Sequence, residues 1–173
     1  MNGRSTGEKK RLIFVCTGNF YRSRLAELLF NHYAAGPELP WIACSRGLVV
    51  NGQLKGLSAE ARNYAVSAGL DDAAQRNPRP LLVDELAAAD LVVLMNRTEH
   101  VPLIERDFRP VYRSLLSRGA VRTWNVFDLA PPRMSWGAEP PPSQPAASAT
   151  EHINFAVRAL VAELAQNPQG SQS

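Results

Sequence analysis

The stretch RLIFVCTGNFYRSRLAELL, residues 11–29, decides the fold. Arg11 to Val15 is a short apolar run rich in β-formers, the composition of a buried strand. Thr17-Gly18-Asn19 stops it. Beyond the stop, Leu25, Leu28, Leu29, His32 and Tyr33 recur at helical spacing until Gly36-Pro37 ends the helix. A strand therefore runs through a tight turn straight into a helix.

The same alternation continues outward. Trp41 to Cys44 reads as a second strand, followed by a glycine-bearing loop over 46–56. Ser58 is placed to cap a helix reaching about Ser67, closed by Ala68-Gly69. Residues 71–80 form a polar, proline-containing loop, Leu82 to Ala88 a short helix, and Leu91 to Leu94 a third strand. Thr98 is a candidate cap for the next helix, with a further helical segment between Pro110 and Arg118. Val121 to Val126 reads as a fourth strand. Thr150 to Gln166 is a last amphipathic helix carrying Ile153, Val157, Leu160, Val161 and Leu164. Strands separated by helices predict a single α/β domain over 11–166, a four-stranded parallel sheet with helices on both faces. Residues 1–10 and 167–173 read as loose polar tails. The stretch 130–149 holds six prolines and Trp136; a core helix follows it, so it is a long loop and not a linker.

The whole-chain numbers narrow the function classes. At 173 residues, 45% hydrophobic and 20% charged, the chain has the balance of an ordinary globular domain. No apolar run approaches the roughly 18–20 residues of a membrane span. The start, MNGRSTGEKKR, is polar, and the LIFVC run is too short for a secretory signal core, which sets the expectation of a cytoplasmic protein with no membrane partner. Two cysteines, Cys16 and Cys44, make no disulfide framework, so each is expected as a free thiol. The net charge of +3 comes from scattered basic residues without aromatic interleaving. Nucleic acid is therefore not an expected partner, whereas a local positive site for an anion is. His32, His100 and His152 lie on helical segments without metal-ligand spacing and read as structural, so no metal and no cofactor is expected.

In such sheets ligands sit beyond the carboxyl ends of the strands. Cys16 falls at the end of the first strand and Asp128 just past the last. From Cys16 to Ser23 the sequence runs Cys-Thr-Gly-Asn-Phe-Tyr-Arg-Ser between strand and helix. A phosphate needs converging N–H donors and a cation, and a strand-to-helix turn supplies the donors. Gly18 is expected to give the backbone freedom to turn its amides inward. Arg22 can lay a planar fork on two phosphate oxygens. The helix terminus and that guanidinium favour the nucleophilic thiolate of Cys16. Ser23 reads as an N-cap whose hydroxyl can also reach the sulfur. The missing Gly-Lys-Ser/Thr excludes a Walker-type nucleotide loop.

With these residues in place, the chain resembles the low-molecular-weight protein tyrosine phosphatases. The match is VCTGNFYRS followed by Leu25-Ala26-Glu27. It continues through Ser45-x-Gly47-Leu48, Ala68-Gly69-Leu70-Asp71, Asp90 to Met95, the Asp128 loop and the final helix, over roughly residues 11 to 165. The resemblance implies a metal-independent phosphatase that forms a cysteinyl-phosphate on Cys16. It assigns Arg22 to transition-state stabilisation and Asp128 to general acid–base work. Thr17, Gly18, Asn19, Phe20, Tyr21 and Ser23 are implied as phosphate-binding loop residues. Asn19 and Ser45 are implied as the loop's hydrogen-bonded braces. The implied partners are a phosphorylated protein or a small aryl phosphate, with inorganic phosphate as product and inhibitor.

The chain also departs from the family pattern. Asp128 is followed by Leu129-Ala130 rather than proline and an aromatic, which removes a backbone restraint. Tyr21 replaces the second loop cysteine, so the protective disulfide within the loop cannot form; Cys44 is expected as a small apolar strand thiol. Phe20 stands where Ile, Ser or Thr is usual and narrows the pocket mouth. Arg24 replaces the helix-starting proline and is expected to add charge beside the pocket. No aromatic lies in 49–52 to face a phosphotyrosine ring, a wall that Trp136 can supply. Gln75 or Arg76 falls where relatives carry a loop-bracing His, and Asn96 replaces a common Asp. Three alternative readings accompany the tyrosine phosphatase: a phosphoarginine phosphatase, an arsenate reductase lacking its relay cysteines, and an inactive phosphate- or phosphoprotein-binding module.

Overall fold

The computed structural model describes residues 7–70, 76–127 and 146–167. Its elements are β1 (Lys10–Cys16), α1 (Arg22–Ala35), β2 (Trp41–Gly47), α2 (Ala59–Ser67), α3 (Val83–Ala87), β3 (Leu91–Leu94), α4 (Arg97–Ser117), β4 (Val121–Thr123) and α5 (Ala146–Gln166). The four strands form one sheet in the order β2-β1-β3-β4, every pairing parallel. This is the α/β architecture expected. Among the described residues no helix is long and apolar enough to cross a membrane.

Strand alternation explains the layers. Leu12, Phe14 and Cys16 of β1 turn to one face, where they pack with α1, α2 and α5. Ile13 and Val15 turn to the other, against β3 and the α3–α4 side. A parallel strand covered on both faces has no solvent side, which is why β1 reads as an unbroken apolar run. On α5 the stripe Ile153, Val157, Leu160, Val161 and Leu164 is buried throughout. The stripe of α1 is rotated from the expected one: Leu25, Ala26, Leu29, Phe30 and Ala34 are buried, while His32 is exposed.

Several boundaries differ from expectation. β2 runs three residues further, to Gly47, pairing with β1 to its end. β4 stops at Thr123, because Trp124 to Val126 bend across the end of β3, where the Val126 amide donates to the Met95 carbonyl. The two helical segments expected after β3 are present and run end to end as α4, broken at Phe108 (φ −132°, ψ 21°) two residues before Pro110, whose ring clashes with the preceding turn. Its cap is Asn96, not Thr98: the Asn96 carboxamide oxygen accepts from the Glu99 amide. Ser58 caps α2 as expected. Ser23 is not a cap. The helix begins one residue earlier, at Arg22, and the Ser23 hydroxyl faces Cys16 instead.

Candidate active site

The turn from Cys16 to Arg22 leaves the carboxyl edge of the sheet, flanked by the ends of β2 and β3. Parallel pairing sets this, since Cys16 stands beside Gly47 and Val15 beside Leu94. Cys16 Sγ lies 2.9 Å from Ser23 Oγ and accepts from the Asn19 amide at 3.2 Å. Asn19 carries a φ of +52°, the left-handed region that Asn tolerates better than most residues. Gly18 has no positive φ, so the demanding backbone position is Asn19 rather than the glycine expected from the sequence. A glycine is required elsewhere: a Cβ on Gly47 would stand 2.9 Å from the Thr17 carbonyl oxygen and 3.0 Å from the Gly18 carbonyl carbon.

On one flank, polar groups interlock by hydrogen bonds. The Asn19 carboxamide donates to Ser23 Oγ (3.0 Å) and Ser45 Oγ (2.9 Å). It accepts from Arg76 Nη1 (3.0 Å) and the Arg79 amide (2.9 Å), so all four of its hydrogen-bonding positions are used. Ser45 Oγ donates to Glu27 and accepts from Arg76 Nη2 at 2.9 Å. Arg76 Nη2 also closes an ion pair with Glu27 at 2.7 Å. Arg76 thus occupies the bracing position left open between Gln75 and Arg76. Arg24 does not flank the pocket mouth. It is buried, donating from Nη1 to the Gly56 and Arg76 carbonyls, and burial together with the charge of Arg76 pushes it down to about 10.

The opposite flank is the first turn of α4. Buried Arg22 makes a two-pronged pair with Glu99, Nη1 to Oε1 at 3.1 Å and Nη2 to Oε2 at 2.8 Å, and donates to the Val126 carbonyl at 3.0 Å. His100 is buried; its Nδ1 accepts from the Asn96 amide at 2.9 Å, and its Nε2 lies 3.2 Å from Thr17 Oγ1. Burial, with Arg22 nearby, pushes His100 down to about 4. The imidazole is therefore neutral at pH 7.

A protein-family model described as low molecular weight phosphotyrosine protein phosphatase matches residues 11–167. The chain belongs to this family. No curated protein matches it significantly. Among solved structures, it is similar to a low molecular weight protein tyrosine phosphatase from T. tengcongensis, at 24% identity and a TM-score of 0.62, over 90% of this chain and 100% of that one. It is also similar to the YwlE arginine phosphatase from Geobacillus stearothermophilus, at 19% and 0.65, over 95% and 98%. The third is Vibrio vulnificus Wzb in complex with benzylphosphonate, at 18% and 0.66, over 90% and 99%. These three likenesses are of fold.

Within this phosphatase family fold, Cys16, Asn19, Ser23 and Ser45 are brought into one hydrogen-bonded cluster, with Thr17 and Arg22 at its other edge. Phe20 is half-buried. The Tyr21 ring is part of the core on the α1 face. Cys44 packs on the opposite sheet face from Cys16, and burial raises its thiol, as a strand thiol should behave. Asp128 and Trp136 lie outside the described residues. Sequence reasoning missed Glu99 and the contact of His100. The signal was present in Asn96-x-x-Glu99, a capping pattern directly after a buried strand.

Proposed function

We propose that this chain hydrolyses phosphomonoesters, protein phosphotyrosine first among them, through a cysteinyl-phosphate. The observation that carries this is the setting of Cys16 Sγ, which meets the Asn19 amide and the Ser23 hydroxyl at the end of a parallel strand. The thiolate attacks phosphorus, forming the S–P bond as the bond to the leaving oxygen breaks, and Asp128 gives that oxygen its proton. Water then attacks phosphorus, Asp128 takes a proton from it, and the sulfur leaves with Ser23 donating to the returning thiolate. Arg22, oriented by Glu99, meets the equatorial oxygens together with loop amides.

Asp128 is supported by its place in the chain. The Val126 carbonyl accepts from Arg22, and two residues span at most about 7 Å. The residue following Val126, Phe127, is exposed, and with Val49 and half-buried Phe20 it gives the surroundings an apolar character suited to an aryl group.

The test is hydrolysis of a chromogenic aryl phosphate between about pH 5 and 8, with Cys16→Ser and Asp128→Ala beside the unaltered protein. Turnover should vanish in Cys16→Ser and fall by roughly 10²–10⁴ in Asp128→Ala. Full turnover in Cys16→Ser sinks the mechanism; full turnover in Asp128→Ala moves the acid elsewhere. A phosphotyrosine peptide should be cleaved in preference to a phosphoarginine peptide, and the reverse order overturns the substrate assignment.

A further inference from the structure

Helix α4 supplies no reacting group to the proposed mechanism, yet two adjacent residues of its first turn touch both ends of the loop from Cys16 to Ser23. Glu99 holds Arg22, the last loop residue but one, through both carboxylate oxygens. His100 reaches Thr17, the residue after Cys16. Glu99 Oε2 lies 3.7 Å from His100 Nε2, too far for a hydrogen bond, so the two contacts stand side by side without bonding to each other. Asn96 ties this turn down twice, capping it through its side chain and donating its own amide to His100 Nδ1.

That amide assigns the tautomer. An N–H pointing at Nδ1 at 2.9 Å requires a bare nitrogen there, so the imidazole proton resides on Nε2. Nε2–H is then the donor and Thr17 Oγ1 the acceptor. A fully buried imidazole in which one nitrogen is spent on a backbone amide has a single donor left to give. It gives it to the loop. The Thr17 carbonyl is fixed separately, accepting from the Val49 amide at 2.8 Å, so the first turn of the loop is held at its side chain from α4 and at its backbone from the segment after β2.

We propose that His100 is a positioning residue for the phosphate loop, acting on a bound phosphoryl group through the Thr17 hydroxyl while Glu99 orients Arg22. The inference rests on the phosphatase reading for its kinetic consequence, but its physical content is that the His100–Thr17 contact sets how well the loop holds an anion.

A double-mutant cycle on the full chain tests it: His100→Leu, Thr17→Val and the pair, with His100→Gln as the variant that retains an amide donor. The first readout is the dissociation constant for inorganic phosphate, which needs no turnover. The second is kcat and KM for an aryl phosphate. Each single change should weaken phosphate binding about three- to tenfold, the range of one hydrogen bond. The pair should be no weaker than either single, and His100→Gln should recover most of the loss. Thr17→Val keeps the cycle informative if His100→Leu does not fold, because it should show the same loss and should make the protein indifferent to His100→Gln. Additive losses, no loss in Thr17→Val, or no recovery in His100→Gln would each overturn the proposal. Loss of turnover in Cys16→Ser with an additive cycle keeps the phosphatase and removes His100 from it. Coupled phosphate binding in a protein without turnover does the opposite.

Discussion

The two flanks of the loop from Cys16 to Ser23 are built differently. Beside Asn19, the support is short side chains in mutual contact: Asn19, Ser23 and Ser45, closed by Arg76 and Glu27. Beside Arg22 and Thr17, it is one turn of a helix delivering a carboxylate and an imidazole side by side. The first is a network in which each member satisfies another, so losing one leaves several buried groups unpaired. The second is a pair of single-purpose contacts mounted on a capped helix, and its members should fail one at a time.

Asn19→Ala gives the largest expected effect. It strips four hydrogen bonds and places a Cβ-bearing residue without a polar group at φ +52°, so stability should fall by about 3 to 4 kcal/mol in urea unfolding and phosphate binding should be lost. A loss under about 1 kcal/mol would mean that the network is not cooperative.

Next in size is a pH effect on the α4 side. The folded value of His100, about 4, lies below the ordinary 6.5, through burial and then the charge of Arg22, with Glu99 opposing. Between those two values the unfolded chain takes a proton that the folded chain refuses. This contribution is complete above pH 6.5, is lost as pH falls from 6.5 to 4, and amounts to about 3 kcal/mol. His100→Gln cannot take that proton, so its stability should fall less across the same window. Parallel pH–stability curves for the two proteins would remove His100 as the cause.

The smallest effect separates the flanks most cleanly. Asn96→Ala and Ser58→Ala each remove one helix cap and should each cost about 1 kcal/mol. Only Asn96→Ala should also weaken phosphate binding, because its helix carries Glu99 and His100 and the cap of α2 carries neither. Equal effects on binding would show that the first turn of α4 is not a support.

How much was legible follows the same division. The strand, the turn and the helix of residues 11–29 were readable because each rests on local composition: an apolar run, a stop, a 3.6-residue stripe. The Asn19–Ser45 brace came only through family resemblance, since residues 26 apart reveal no contact by spacing. Glu99 and His100 lie 77 and 83 residues from the side chains they hold, and nothing in the sequence gives the parallel register that joins them. Thr98 obscured the cap by being another residue that favours the N-cap, two positions later. Gly18 drew the expectation of backbone freedom because glycine usually supplies it, whereas the left-handed turn fell to Asn19, whose side chain is needed there as well.

Gly47 brings no side chain to the site, yet its neighbours leave less room than a methyl group requires, with the backbone of Thr17 and Gly18 and the side chain of Val50 all within 3.0 Å of where a Cβ would stand. A saturation scan scored for folded protein and one scored for turnover should therefore disagree at Cys16, where small uncharged replacements should fold and, on the proposed mechanism, lose turnover. At Gly47 the two scans should coincide, making it as intolerant as any reacting residue.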